Sequence, residues 1–200
     1  MSRNRGFPST STKLSGFRGE YLWEYDYAQK QMLALAEAFP ADRYGWRPAE
    51  TARSVSEILV HVGAGGRAFL VLLGVKVEPD LYGKVEGEGV ARNMAMLARN
   101  ESLEKSMTDK ADVLALLRTS LNAVRTACAE TSDAELERPE MFGAESSTVR
   151  RLYMRTVCHL HEHMGQLIAY ARAMGLPAPW RGEHDAWRKA IEEKLAASKK

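Results

Sequence analysis

The chain contains four long segments in which apolar residues recur at the helical period, and this pattern restricts what it can fold into. Pro40, Gly74 and Gly175 mark the ends of three of these segments. No convincing strand pattern interrupts them, so we predict an all-α protein. The predicted helices cover about residues 17–39, 54–74, 109–131 and 147–174. A short charged helix follows from His184 onwards, and we expect Trp187 and Ile191 to form its packing edge.

The connection between the second and third predicted helices is much longer than the other two. It contains some 34 residues, 75–108, whereas the others contain about 14 and about 15. A helix of 20 residues is about 30 Å long, so only the long connection returns comfortably along a bundle. We therefore predict a four-helix bundle with up-down-down-up topology and a long crossover between helices two and three. Residues 90–105 can form an extra helix within that crossover.

The fourth predicted helix carries three of the five histidines within five residues, in the run HLHEHMGQ that begins at His159. At 3.6 residues per turn, His159 and His163 lie one above the other on a stripe shared with apolar residues. His161 falls on the opposite side of the helix. Two imidazoles one turn apart are close enough to bind one metal ion.

A histidine pair of this kind is by itself more often a surface or core feature than a metal site. A third ligand would have to come from another segment, and His61 and His184 are the two remaining histidines. His61 borders the apolar face of helix two, which opens with a capping box of Ser54 and Glu57. His184 lies in the charged tail, where we expect it to be solvated.

The order and spacing of several motifs resemble the DinB/YfiT-like family of bacterial helical-bundle proteins. The resemblance covers roughly residues 17–180. It implies the same up-down-down-up bundle and a divalent metal bound by His61, His159 and His163. The motifs that carry it are AFPADRYGWRPAE followed by SVSEILVH, then MTDKADVLALLR, HLHEHMGQLIAYAR and GLPAPW.

Three histidine ligands would leave a coordination position open, which is the pattern of a catalytic rather than a structural zinc site. We expect zinc or nickel, because histidine-rich sites accept both. The resemblance permits a thiol-dependent transferase or isomerase that uses a low-molecular-weight thiol, or a small-molecule hydrolase. The alternative is a metal-binding or metal-free, stress-related interaction protein whose histidines only stabilise the bundle.

Residues near the histidines have functional and structural interpretations that the sequence leaves open. Gln166 can hydrogen-bond a ligand or pack in the helix, and Tyr170 can line a pocket or belong to the core. Trp46 can border a pocket entrance, although packing within its loop is the simpler role. The pattern H-x-x-E-H also matches from His159 to His163, but we disfavour a peptidase because only 37 residues follow.

Composition and cysteine usage agree with a single enzyme-sized soluble domain of the cytoplasm. The net charge of +2 gives no reason to expect nucleic acid or membrane as a partner, and no apolar run predicts a membrane span. Cys128 and Cys158 lack the spacing of a disulfide framework, so we expect two buried thiols in a reducing compartment.

We expect residues 1–16 to form a disordered tail and residues 17–200 to form one domain. A homodimer is also expected. Helix four is apolar over a wide arc that runs from Leu152 to Ile168, and the family resemblance points the same way.

Overall fold

The computed structural model describes residues 15–78, 80–83 and 89–197. Within those residues the chain forms seven α-helices and one β-hairpin. The helices are α1 (Gly16–Ala38), α2 (Val55–Leu72), α3 (Gly89–Ser106), α4 (Lys110–Glu130), α5 (Asp133–Leu136), α6 (Val149–Ala173) and α7 (Arg181–Ala197). The strands are β1 (Pro139–Phe142) and β2 (Glu145–Thr148), and a short 3-10 turn covers Ala41–Arg43.

The four long helices α1, α2, α4 and α6 pack into a bundle, and their contacts give its topology. Helices α1 and α6 run parallel, since Tyr21 bonds to Thr156 and Glu24 lies beside His161 further along both helices.

Helices α2 and α4 also run parallel, because Gly63 faces Leu116 and Gly66 faces Val124. In contrast, α1 is antiparallel to α4: Glu37 pairs with Arg118, and Asp26 pairs with Arg125. The predicted up-down-down-up arrangement is confirmed.

Helix α2 starts where the sequence predicts, because a complete capping box closes its N-terminus. The Ser54 hydroxyl accepts a hydrogen bond from the Glu57 amide, and the Ser54 amide donates to the Glu57 carboxylate. Glycines then let α2 approach α4 closely. A Cβ atom at Gly63 would lie 3.3 Å from Leu116, and one at Gly66 would lie 3.2 Å from Val124. The helix is therefore packed along most of its length.

The crossover contains the extra helix expected over residues 90–105, and this helix, α3, packs against α2. Tyr82 connects the two. Its ring is 9% exposed, and its hydroxyl contacts the carbonyl oxygen of Ala64 on α2 and the side chain of Asn100 on α3. The crossover thus adds a helix to the outer side of α2 as well as returning the chain.

The hairpin β1–β2 corrects the expectation of a chain without strands. It lies in the connection before α6, where Glu140 pairs with Ser147 and Phe142 pairs with Glu145. Gly143 has a φ of 61°, a conformation that most residues avoid and that a tight two-residue turn needs. The Phe142 ring stacks on Phe69 of α2 at 5.7 Å, so the hairpin is attached to the bundle.

Two further expectations about side-chain burial were wrong. Cys128 is buried, but Cys158 is exposed, because it lies on the outer side of α6. Helix α7 buries none of its residues, and Trp187 and Ile191, expected to form its packing edge, are 56% and 37% exposed. The tail predicted to be disordered lies mostly outside the described residues, and Gly16 already belongs to α1.

Most of the wide apolar arc of α6 is buried inside the bundle, and Ile168 at its end is partly buried. Leu152, Leu160 and Met164 are at most 5% exposed, because α6 packs against α1 on one side and α2 on the other. This arc therefore gives no support for a dimer surface. Helix α2 also has the length and mean hydropathy of a membrane span, yet 67% of that window is buried inside the bundle, as in a core helix of a soluble protein.

We predict that Gly63→Val lowers the free energy of unfolding by about 1–3 kcal/mol, because its side chain would overpack the contact between α2 and α4. Gly165→Ala serves as the control. A Cβ atom at Gly165 meets open space, so only helix propensity changes, and stability should rise by up to about 1 kcal/mol. Urea unfolding of the metal-free proteins measures both. Equal stability of Gly63→Val and the parent would contradict the role given to this contact.

Candidate metal centre

Three histidines from two neighbouring helices converge on one point in the bundle. The Nε2 atom of His159 lies 3.0 Å from Nε2 of His61 and 3.1 Å from Nε2 of His163. Two nitrogen ligands of a tetrahedral zinc ion, each at about 2.0–2.1 Å, are about 3.3–3.4 Å apart. One ligand nitrogen from each ring lies within 4.8 Å of the other two, so the three imidazoles can reach one divalent ion after a small adjustment of their positions.

The positions of the three rings follow from the helix geometry. His159 and His163 are one turn apart on α6, and their rings are 4.5 Å apart. Helix α2 runs antiparallel beside them and presents His61 from the opposite side. Gly65, one turn after His61, makes room, because a Cβ atom there would lie 3.1 Å from Cε1 of His159.

Burial keeps two of these imidazoles neutral. It lowers the pKa of His159 to about 3, and repulsion by His163 and His61 adds to the effect. Burial also lowers the pKa of His163, although the hydrogen bond to Gln166 acts in the opposite direction. Both rings therefore carry no charge near neutral pH, and a metal ligand must be in that state.

The outer nitrogens of two rings contact side-chain oxygens. Nδ1 of His163 lies 2.8 Å from Oε1 of Gln166, and Nδ1 of His61 lies 2.7 Å from Oε1 of Glu104. Among the predicted pocket residues, Gln166 thus contacts the site directly. Since its oxygen accepts, His163 carries its proton on Nδ1 and turns the lone pair of Nε2 inward.

Glu104 is the residue of this site that sequence reasoning missed. It lies on α3, is 6% exposed, and also accepts a hydrogen bond from Nε of Arg53 at 2.7 Å. Burial raises the pKa of its carboxyl, but the hydrogen bonds from His61 and Arg53 outweigh burial and lower it. No local pattern could have identified it, because it is 43 residues from His61 and belongs to the crossover.

Trp46 and Tyr170 lie beside each other near the same end of the site. Their rings make an edge-to-face contact at 5.3 Å, and the Tyr170 hydroxyl donates to the backbone oxygen of Arg53. Both side chains are partly exposed. They are connected to the histidines only indirectly. Tyr170 bonds to Arg53, Arg53 pairs with Glu104, and Glu104 contacts His61.

The two remaining histidines lie outside the cluster, and the glutamate of the H-x-x-E-H pattern is held by an arginine. His161 lies 2.9 Å from Glu24 on the outer side of α6, and His184 packs on Trp187 in α7. Arg155 donates two hydrogen bonds to Glu162, at 2.8 and 2.7 Å, so this carboxylate is already engaged by an arginine. This ion pair gives no support to Glu162 as the base of a peptidase.

A cleft of about 370 Å³ lies elsewhere in the molecule, between the end of α2, the segment that follows it and α3. Arg67, Val71 and Arg92 are among its lining residues, and the three histidines are not. The histidine cluster therefore sits apart from this cleft, in the interior between α2 and α6.

Three imidazoles that converge on one point inside a helical bundle place this protein in a class with a candidate site for a divalent metal ion. The chain belongs to the DinB superfamily, whose family profile matches residues 24–167. The three histidines lie inside that range and α7 lies outside it. The family resemblance noted in the sequence is thus confirmed.

Solved structures with this fold are distant in sequence. A DinB-like protein from Bacillus cereus ATCC 10987 is 16% identical, with a TM-score of 0.61 over 80% of this chain and 93% of that chain. YfiT from Bacillus subtilis, described as a probable metal-dependent hydrolase with an unusual four-helix bundle topology, is 12% identical, with a TM-score of 0.57 over 86% and 95%.

The mycothiol-dependent maleylpyruvate isomerase is 14% identical, with a TM-score of 0.57 over 77% of this chain and 63% of that chain. At such identities the similarity shows the fold alone. A search of curated proteins finds no match.

We predict that His163→Ala and His159→Ala each weaken zinc binding by more than about 100-fold, since losing a direct ligand should exceed the 10–100-fold effect of losing an outer partner. His161→Ala is the matched control on the same helix and should bind one zinc ion as the parent does. Competition titration with a zinc chelator measures the affinities. Loss of zinc in the His161 variant instead would show that the wrong face of α6 holds the metal.

Proposed function

We propose that this protein is a metal-dependent enzyme acting on small molecules, with His61, His159 and His163 holding a zinc or nickel ion. The observation that carries the proposal is the convergence of the three imidazoles: Nε2 of His159 lies 3.0 and 3.1 Å from Nε2 of His61 and His163, and one ligand atom from each ring lies within 4.8 Å of the other two. Three protein ligands leave a coordination position for a substrate or a water molecule. A closed structural site would need a fourth protein ligand.

The reaction we propose is transfer involving a low-molecular-weight thiol, or hydrolysis of a small substrate. A divalent cation, when bound, supplies Lewis acidity that lowers the pKa of a coordinated water or thiol and so provides a nucleophile at neutral pH. Two proteins with this fold are described as a mycothiol-dependent maleylpyruvate isomerase and a probable metal-dependent hydrolase. These descriptions support the two reaction classes that we propose.

The two cysteines of the chain give no competing mechanism. Burial raises the pKa of the Cys128 thiol to about 12, so it is protonated at neutral pH. Cys158 lies on the exposed side of α6, away from the inward stripe of His159 and His163. Neither thiol is therefore expected to serve as the nucleophile.

The residues around the histidines would orient the ligands and shape the approach. Gln166 orients His163 through Nδ1, and we propose that Trp46 and Tyr170 border the approach of the substrate. Both aromatic side chains present apolar surface and a polar tip, which suits a small amphipathic substrate.

An alternative is a metal-binding protein without catalysis. It is favoured by one observation: among the described residues, the carboxylates nearest the cluster, Glu104 and Glu162, are already engaged by arginines. An enzyme requires an exchangeable coordination position, whereas a purely structural role does not. Exchange of a bound exogenous ligand therefore distinguishes the two functions.

We predict that thiol transfer or ester hydrolysis by the zinc or nickel protein disappears on chelation and in His159→Ala, while the far-ultraviolet circular dichroism spectrum remains helical. The bundle has its own apolar core, so removing one imidazole should not unfold it. A panel of thiol–electrophile pairs and small esters measures turnover, with His161→Ala as the active control. Turnover that survives both chelation and His159→Ala would refute the proposal.

We also propose that the protein is a cytoplasmic homodimer whose substrate is a small molecule rather than nucleic acid or a membrane. Its dimer surface must differ from the buried arc of α6. Light scattering should give twice the 22.3 kDa mass of one chain, independent of a tenfold dilution. A mass of one chain across that range would remove the dimer and leave the metal site unaffected.

A further inference from the structure

We propose that Glu104 is a positioning residue that holds His61 with its proton on Nδ1, so that the lone pair of Nε2 faces His159 and His163. The inference rests on the proposed metal site, but it concerns a residue of the crossover helix rather than a ligand. It assigns to α3 a part in building the site.

The hydrogen bonds of Glu104 determine which atom of His61 carries the proton. One carboxylate oxygen lies 2.7 Å from Nδ1 of His61, and the other lies 2.7 Å from Nε of Arg53. An ionised carboxylate can only accept, so Nδ1 must donate. In a neutral ring the other nitrogen, Nε2, then has a free lone pair.

The packing of α3 explains why the carboxylate is held at this position. Met96, Asn100 and Glu104 recur at four-residue spacing on one face of the helix, and they are 2%, 4% and 6% exposed. This face packs against α2, and Asn100 is bonded to Tyr82, which also contacts α2. The Glu104 side chain therefore has little freedom to leave His61.

The arrangement around His163 is an internal parallel. There an amide oxygen, Oε1 of Gln166, accepts from Nδ1 at 2.8 Å and turns Nε2 toward the same point. Two of the three rings are thus oriented in the same way by different residues, one from the same helix and one from the crossover. Partners of this kind fix the tautomer and the ring orientation of histidine ligands.

The test uses the full-length chain with Glu104→Leu, which removes the acceptor, and Glu104→Gln, which keeps an acceptor oxygen but removes the charge. Glu101→Leu is the matched control, because Glu101 is exposed on the same helix one turn earlier. Nitrogen-15 NMR of the metal-free proteins reports the tautomer of His61. Competition titration with Zn²⁺ alone reports affinity.

We expect the Nδ1-protonated tautomer of His61 in the parent and in Glu101→Leu, and a mixture in Glu104→Leu. Zinc affinity should fall by about 10–100-fold in Glu104→Leu and by less in Glu104→Gln. A residue that only supports folding would change stability without moving the tautomer signal.

Two results would overturn the inference. One is a parent protein in which the proton of His61 sits on Nε2, which needs no variant and so remains decisive if Glu104→Leu fails to fold. The other is a folded Glu104→Leu protein with the parent's tautomer and zinc affinity. The tautomer of His61 is measured without metal, so its result does not depend on enzymatic activity. Absence of activity in every assay would count against the proposed function but would not contradict the role of Glu104.

Discussion

The packing of α2 between α4 and α6 is the contact on which the rest of the structure depends. Its apolar residues fill the bundle interior, and its glycines allow α4 and the His159 ring to approach closely. The same helix carries His61, supports the crossover helix and receives the hairpin through Phe69. Glycine costs helix stability, about 1 kcal/mol relative to alanine at each position. Close packing and room for the imidazoles compensate for that loss.

Much of the bundle could be read from local sequence signals because those signals act over a few residues. The Ser54–Glu57 capping box gives the start of α2, and the single long connection gives the topology. That His159 and His163 lie on the same face of the helix follows from helical periodicity alone. His61 was predicted as the third ligand only through the family resemblance, since periodicity left it at the border of an apolar face. The three converge in the structure, whereas metal binding itself stays a prediction.

The features that sequence reasoning missed depend on tertiary contacts. Glu104 reaches His61 only because α3 packs on α2, and nothing near Glu104 in the sequence signals that partner. The hairpin depends on a glycine turn and on the stacking of Phe142 over Phe69. Cys158 and Trp187 are exposed because the faces that carry them have no neighbouring helix in the described residues. Hydrophobic pattern alone does not tell a covered apolar face from an uncovered one.

The separation of the histidines along the chain has a mechanical consequence. His61 and His159 are 98 residues apart, so an ion shared between them would close a loop of nearly half the chain. A covalent crosslink around a loop of about 100 residues removes chain entropy worth about 4.7 kcal/mol from the denatured state in the simplest model. A metal ion bound by both segments would act as a reversible crosslink of this kind, in a chain whose two cysteines are both free.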